Sequence, residues 1–134
     1  MSEKIIIDAK NGVLGRVASL AAKEALKGKQ VIVVNCNEAI VAGSKQNIIK
    51  EYSRLLRKGG SSLKGPKVPR IPERFMKRTI RGMLPHFQAR GEEALQRVMC
   101  YNEVPKDYEA GRKVSVVKTL STNSITLKEL MRLI

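Results

Sequence analysis

Arg74, Lys77, Arg78 and Arg81 are the residues whose type and spacing most clearly specify a chemistry. At 100° per residue they share an arc of about 100°, while Phe75, Met76, Thr79, Ile80 and Met83 take the other side. A helix over this stretch docks through one face and offers guanidinium and ammonium groups on the other. That arrangement neutralises a polyanion and transforms no substrate. A merely solvated face mixes signs, whereas no acid lies between Glu73 and Glu92.

Arg16 and Lys45 stand in unusual places. They lie in the turns Asn11-Gly-Val-Leu-Gly15-Arg16 and Ala42-Gly-Ser-Lys45, each in or near a first helical turn. There the helix dipole disfavours a cation by roughly a few tenths of a kcal/mol, and an anion held between the side chain and the helix amides would reverse that. The alternative is two solvated side chains bending back from the helix ends. Neither turn has the Walker spacing, and the first lacks the third glycine of a dinucleotide fingerprint, so a small nucleotide is not the expected anion.

Catalytic and metal-binding patterns find little support. His86 is the single histidine, no Ser stands in a nucleophile elbow, and the carboxylates are scattered. Asp8, at the end of a strand, is expected to satisfy the amides of the turn before Gly12. Cys36 and Cys100 have no CxxC spacing and sit in apolar runs, which suits reduced thiols packed as small hydrophobes better than a zinc site. No cofactor, metal or small-molecule substrate is expected.

The 134 residues carry 26 Lys and Arg against 12 acids, a net charge of +14. Residues 50–90 hold 12 of the bases and only two of the acids, which places the binding surface in the middle third. Besides the four cations of the helix, Arg54, Arg57, Lys64, Lys67 and Arg70 belong to this segment. A polyanion is the implied partner. No run approaches the roughly 20 apolar residues needed to cross a bilayer, and the start lacks a signal-peptide layout, so the reading is cytoplasmic. The amphipathic face also lacks the Trp of a membrane-surface helix, which leaves nucleic acid. Lys64 and Lys67, in the Gly-, Pro- and Ser-rich stretch 59–72, suit an extended arm that follows folded RNA. With aromatic residues at 4% of the chain and no Trp, base stacking on aromatic platforms is not expected.

The elements that must position these residues follow from periodicity. Ile5, Ile6 and Ile7 run without alternation, as in a central parallel strand covered on both faces, and residues 31–36 repeat the pattern. The Ala-rich stretch 14–27 is a helix stopped by Gly28, and 44–58 is a second one with Ile48, Ile49, Tyr52, Leu55 and Leu56 on one face. Pro72 opens the third as a favourable first residue, and Gly82 with Pro85 closes it. Shorter strands are expected at 38–42, 98–101 and 114–117, and a helical turn at 92–96. A capping box, Thr126 to Glu129, should open a short docking helix at the tail. Strands separated by helices give an α/β domain with a mainly parallel sheet and helices on both faces. Residues 1–110 read as the domain and 111–134 as a C-terminal extension.

Taken in order, Asp8, Leu14-Gly-Arg16-Val-Ala18, Val34-Asn35, Val41-Ala-Gly-Ser-Lys45, Arg70-Ile-Pro-Glu73, Gly82-Met-Leu-Pro85 and Val98 to Tyr101 resemble the ribosomal protein L13 family in its archaeal style. The resemblance spans about residues 5–105 and is most specific where RIPERFMKRTIRGMLP follows the upstream VAGSK. It implies a three-layer α/β/α sandwich on a four-stranded parallel sheet. It also implies a structural, non-enzymatic role on large-subunit ribosomal RNA, in early assembly and beside other ribosomal proteins. Arg16, Lys45, Arg70, Arg74 and Arg81 fall inside matching motifs; Lys64, Lys67, Arg54 and Arg57 rest on charge alone. The chain lacks the long connection of bacterial members between Gly28 and Gln30 and the long C-terminal extension of eukaryotic ones. A free RNA-binding regulator outside the ribosome is the other reading, and a small nucleotide-binding enzyme using the Gly12–Gly15 turn a third.

Overall fold

The computed structural model describes residues 4–57, 71–109, 111–115 and 123–133. Along the chain run β1 (Lys4–Asp8), α1 (Leu14–Leu26), β2 (Gln30–Val34), β3 (Ile40–Ala42), α2 (Lys45–Arg57), α3 (Pro72–Gly82), α4 (Ala89–Gln96), β4 (Val98–Cys100), β5 (Lys113–Ser115), β6 (Ser124–Thr126) and α5 (Leu127–Leu133), with 3-10 turns at Cys36–Glu38 and Lys106–Tyr108. Four strands form a parallel sheet in the order β4-β2-β1-β5, so the triple-isoleucine strand is central, as its lack of alternation requires. Helices flank this sheet, and the fold is of the expected α/β class.

Register decides which side chains enter the core. Ile5 lies opposite Val31, Ile7 opposite Val33, and Val31 opposite Val98. Ile7, Val31, Val33 and Val98 point into the cluster that also takes Val17, Ala18, Ala21 and Ala25 of α1, Met76 and Ile80 of α3, Ala94 of α4 and Leu130 of α5. Each large aliphatic side chain buried there contributes about 1.5–3 kcal/mol. Alanines on the inner side of α1 let it approach the sheet and α3 closely. The alternate strand positions turn to the other face. There Lys4 lies over the Tyr108 ring, 5.5 Å from its centroid, and Gly111 stands so near Ile6 that an added Cβ would meet Ile6 Cδ1 at 2.9 Å.

The turn between α1 and β2 is closed by a Schellman motif. The Gly28 N–H donates to the Ala25 carbonyl and the Lys29 N–H to that of Glu24, with Gly28 at φ +93°. After β2 the chain departs from the sequence reading. The strand expected over 31–36 ends at Val34, because Asn35 takes φ +58° and the chain curls into the 3-10 turn Cys36–Glu38. The strand expected over 38–42 shrinks to β3, which leaves the main sheet and pairs antiparallel with β6. The helical turn expected at 92–96 begins earlier, at Ala89. Of the expected 114–117 strand, 114–115 lie in β5 and 116–117 outside the described residues.

The described parts of the segment read as a C-terminal extension pack with this core. It supplies β5 to the main sheet, β6 to the small one, and Ile125, Leu127 and Leu130, all at most 2% exposed. Backbone bonds from Gly43 N–H to the Asn123 carbonyl and from Leu127 N–H to that of Ala39, both 2.8 Å, fasten it. Of the capping box expected from Thr126 to Glu129 one half is present, the Glu129 N–H donating to Thr126 Oγ1 at 3.3 Å, while the Glu129 carboxylate is taken by Lys45.

A basic helix face as candidate nucleic-acid interface

Helix α3 carries the densest cationic cluster, and its geometry follows the sequence period closely. Pro72 takes the first helical position, and the missing side-chain cap at Ile71 is supplied from a distance, the Glu73 N–H donating to Asn102 Oδ1 at 2.8 Å. Phe75, Met76 and Ile80 are at most 2% exposed, so the inner face is fixed in the core. Arg74 and Arg81 are exposed, while Lys77 and Arg78 are half-buried. Among the described residues, none of these four enters an ion pair. Thr79, placed on the docking side, spends its hydroxyl on the Phe75 carbonyl at 3.0 Å. Met83, also placed there, is 44% exposed, because the helix ends at Gly82 and the chain turns before it can reach the core.

Helix α2 joins this surface through an edge-to-face contact of Tyr52 with Phe75, ring centroids 5.4 Å apart. Burial, then the nearby Glu51 carboxylate, hold the Tyr52 hydroxyl above its ordinary pKa, and the Arg78 guanidinium opposes them. Arg54 is exposed on α2, with no ion pair among the described residues. The Arg57 side chain, Lys64, Lys67 and Arg70 lie outside the described residues.

Arg16 and Lys45 fare differently. Arg16 is exposed in the first turn of α1, where no acid and no side-chain cap offsets the dipole. Lys45 opens α2 and already has an anion, since its Nζ lies 2.6 Å from Glu129 Oε1. The start of α1 is joined to β3, the strand that leads into α2, by a parallel bridge between Val13 and Ile40 and by the Ile40 N–H bond to the Gly12 carbonyl. The sequence reading missed Glu129 because 84 residues separate it from Lys45.

Other candidates serve the scaffold. Asp8 Oδ1 accepts from the Lys10 N–H at 3.0 Å and from Asn35 Nδ2 at 2.9 Å, the expected turn role. His86 Nδ1 faces the carbonyls of Arg81 (3.2 Å) and Leu84 (3.3 Å) just past α3. Both cysteines are free thiols; the hydrogen bond with Cys100 and then burial push the Cys36 thiol far above its usual range, which leaves it protonated and inert. The turn after α3 also holds what the sequence reading passed over. Phe87 is 94% exposed, with Arg90 exposed just beyond it. Its one sequence signal is an aromatic residue outside every apolar stripe.

The family model for ribosomal protein L13 matches residues 2–107, a span that includes the α3 face and both helix-start turns. The chain belongs to the ribosomal protein L13 family. The large ribosomal subunit protein uL13 of Methanococcoides burtonii is 39% identical over 132 residues, covering 95% of this chain and 94% of the relative. That of Methanocaldococcus jannaschii is 39% identical over 130 residues, again covering 95% and 94%. That of Methanosarcina barkeri is 41% identical over 112 residues, covering 83% and 79%. The family model stops short of β5, yet the first two relatives align across nearly the whole chain, as a core that includes Leu127 and Leu130 demands.

Proposed function

We propose that this chain is a structural constituent of the large ribosomal subunit that binds large-subunit ribosomal RNA in the cytoplasm, supports subunit assembly and transforms no substrate. The observation that carries the reading is the α3 face. Four cations stand on a helix whose opposite side is locked in the core, no ion pair among the described residues consumes them, and relatives along nearly the whole chain are named large ribosomal subunit proteins. Arg74, Lys77, Arg78 and Arg81, with Arg54 beside them, neutralise closely packed phosphates, and the rigid sheet behind them sets their spacing. Arg57, Lys64, Lys67 and Arg70 extend the same basic segment along the chain between α2 and α3. Arg16 contacts phosphate from the start of α1. Lys45 contributes only by sharing its charge with Glu129 or exchanging that carboxylate for a phosphate. Neighbouring ribosomal proteins complete the environment. No observation favours the free regulator.

The test is sedimentation of an extract at low salt followed by a high-salt wash. The protein should travel with the large subunit at low salt and come off in the wash, as added ions compete with its lysines and arginines for the phosphates. Recovery in the soluble fraction at low salt defeats the ribosomal reading.

A further inference from the structure

Phe87 is the most exposed large hydrophobic side chain among the described residues, at 94% against 38–47% for the next group. It does not sit on a slack loop. The chain from Met83 to Gln88 is folded into a knuckle by bonds from Leu84 N–H to the Arg81 carbonyl, from His86 N–H to that of Leu84 and from Gln88 N–H to that of Pro85. Leu84, 4% exposed, anchors the knuckle in the core. At its far end Gly91 packs against Pro85 so tightly that a Cβ would stand 2.0 Å from the Pro85 carbonyl oxygen. The His86 ring, tied by its Nδ1 to backbone carbonyls, lies 4.2 Å from the Phe87 ring at 39°, backing one side of it. The aromatic face is thus held outward by a rigid support, and little ordering entropy remains to be lost when something covers it.

We propose that Phe87 is a stacking platform for an unpaired base of the large-subunit RNA, placed beside the phosphates that Arg81 and Arg90 neutralise. The inference rests on the ribosomal RNA reading above and adds a base contact to it. Charge favours RNA as the occupant. Residues 74–91 contain no acid, and the exposed Arg81 and Arg90 flank the ring in sequence; Glu92 and Glu93 follow later on α4. A protein-binding hot spot is instead ringed by apolar side chains that exclude water. Around Phe87 in sequence, the exposed apolar side chains are Met83 and the small Ala89, and Gly82, Gln88 and the two arginines make up the rest. A single open ring between cations suits one base, whose face stacks while its phosphates pair with arginine.

The chain contains no Trp, so Phe87→Trp installs one fluorophore at the site. Titrated with protein-free large-subunit ribosomal RNA, its emission should fall by more than about half and its collisional quenching by acrylamide several-fold. Phe87→Ala should weaken binding about 5- to 150-fold at fixed salt, the range of one base stacked on an aromatic ring, and leave the salt slope unchanged. Unchanged melting temperatures in both variants, expected for so exposed a position, assign the effect to binding. If the Trp variant binds RNA as tightly as the parent but its emission and accessibility do not change, the stacking proposal is wrong and the RNA reading stands. Protection that appears only in the assembled subunit gives the ring to a neighbouring protein and likewise overturns the proposal. Failure of the parent chain to bind the RNA removes both.

Discussion

Replacing Arg74, Arg78 and Arg81 together by Gln removes three positive charges from α3 while keeping much of each side-chain stem. These positions lie opposite Phe75, Met76 and Ile80, so the core is untouched and each change should stay within about 0.5 kcal/mol of neutral in stability. Binding should respond far more. Each neutralised phosphate contributes about 0.7 to the slope of log affinity against log salt for single strands and about 0.9 for a duplex. Without three arginine–phosphate pairs, that slope flattens by about 2 to 3. Between 50 and 200 mM salt, the parent should therefore lose roughly 20- to 40-fold more affinity than the variant. Filter binding to large-subunit ribosomal RNA at several salt concentrations measures the slopes, and thermal melting of both proteins checks the fold. A variant with the parent's slope and unchanged melting would show that α3 faces something other than RNA phosphates, and the reasoning from its unpaired cations would fail.

Two further outcomes test the scaffold. Gly91→Ala forces backbone movement at Pro85 and should cost about 3 kcal/mol, offset in part by about 1 kcal/mol of better helix propensity in α4. A melting temperature lower by roughly 6–10 °C is expected, and an unchanged one would mean that the α3–α4 knuckle is not packed as described. Glu24, 8% exposed, has its carboxyl held below the ordinary value by its hydrogen bond to Lys29, with Lys27 assisting against the cost of burial. Because the folded state binds this proton less tightly than the unfolded chain, the contribution is complete above the ordinary carboxylate range and fades as pH falls through the lower folded value. Both lysine heads remain partly in water, so Glu24→Gln should cost about 1 kcal/mol at pH 7. Urea melts should show that gap closing on acidification below about pH 4.5; a gap independent of pH would rule out the ionised pair as its source.

Much of this was legible because it depends on local periodicity. The unbroken Ile5–Ile7 run announced a central strand, and the 100° spacing of Arg74 to Arg81 separated a cationic from a docking face. Pro72 and Gly28 marked helix ends by fixed backbone preferences. What escaped was set by contacts between distant parts of the chain. Lys45 read as an anion-seeking cation, but a carboxylate from α5 reaches it. Phe87 resembled any loop aromatic until the knuckle showed it standing in solvent. Met83 continued the docking stripe by period alone, although α3 stops one residue earlier.

Composition, period and motif order therefore determined the class of the fold, the family and the segment richest in cations, since each is written in neighbouring residues. Among the described residues, tertiary structure decided which cations enter ion pairs, that β3 pairs with β6 outside the main sheet, and that β6 and α5 help fill the core. The physical reason is that a parallel sheet joins strands far apart in sequence. Whether β5 and α5 close the core or trail from it depends on long-range packing that no local pattern records.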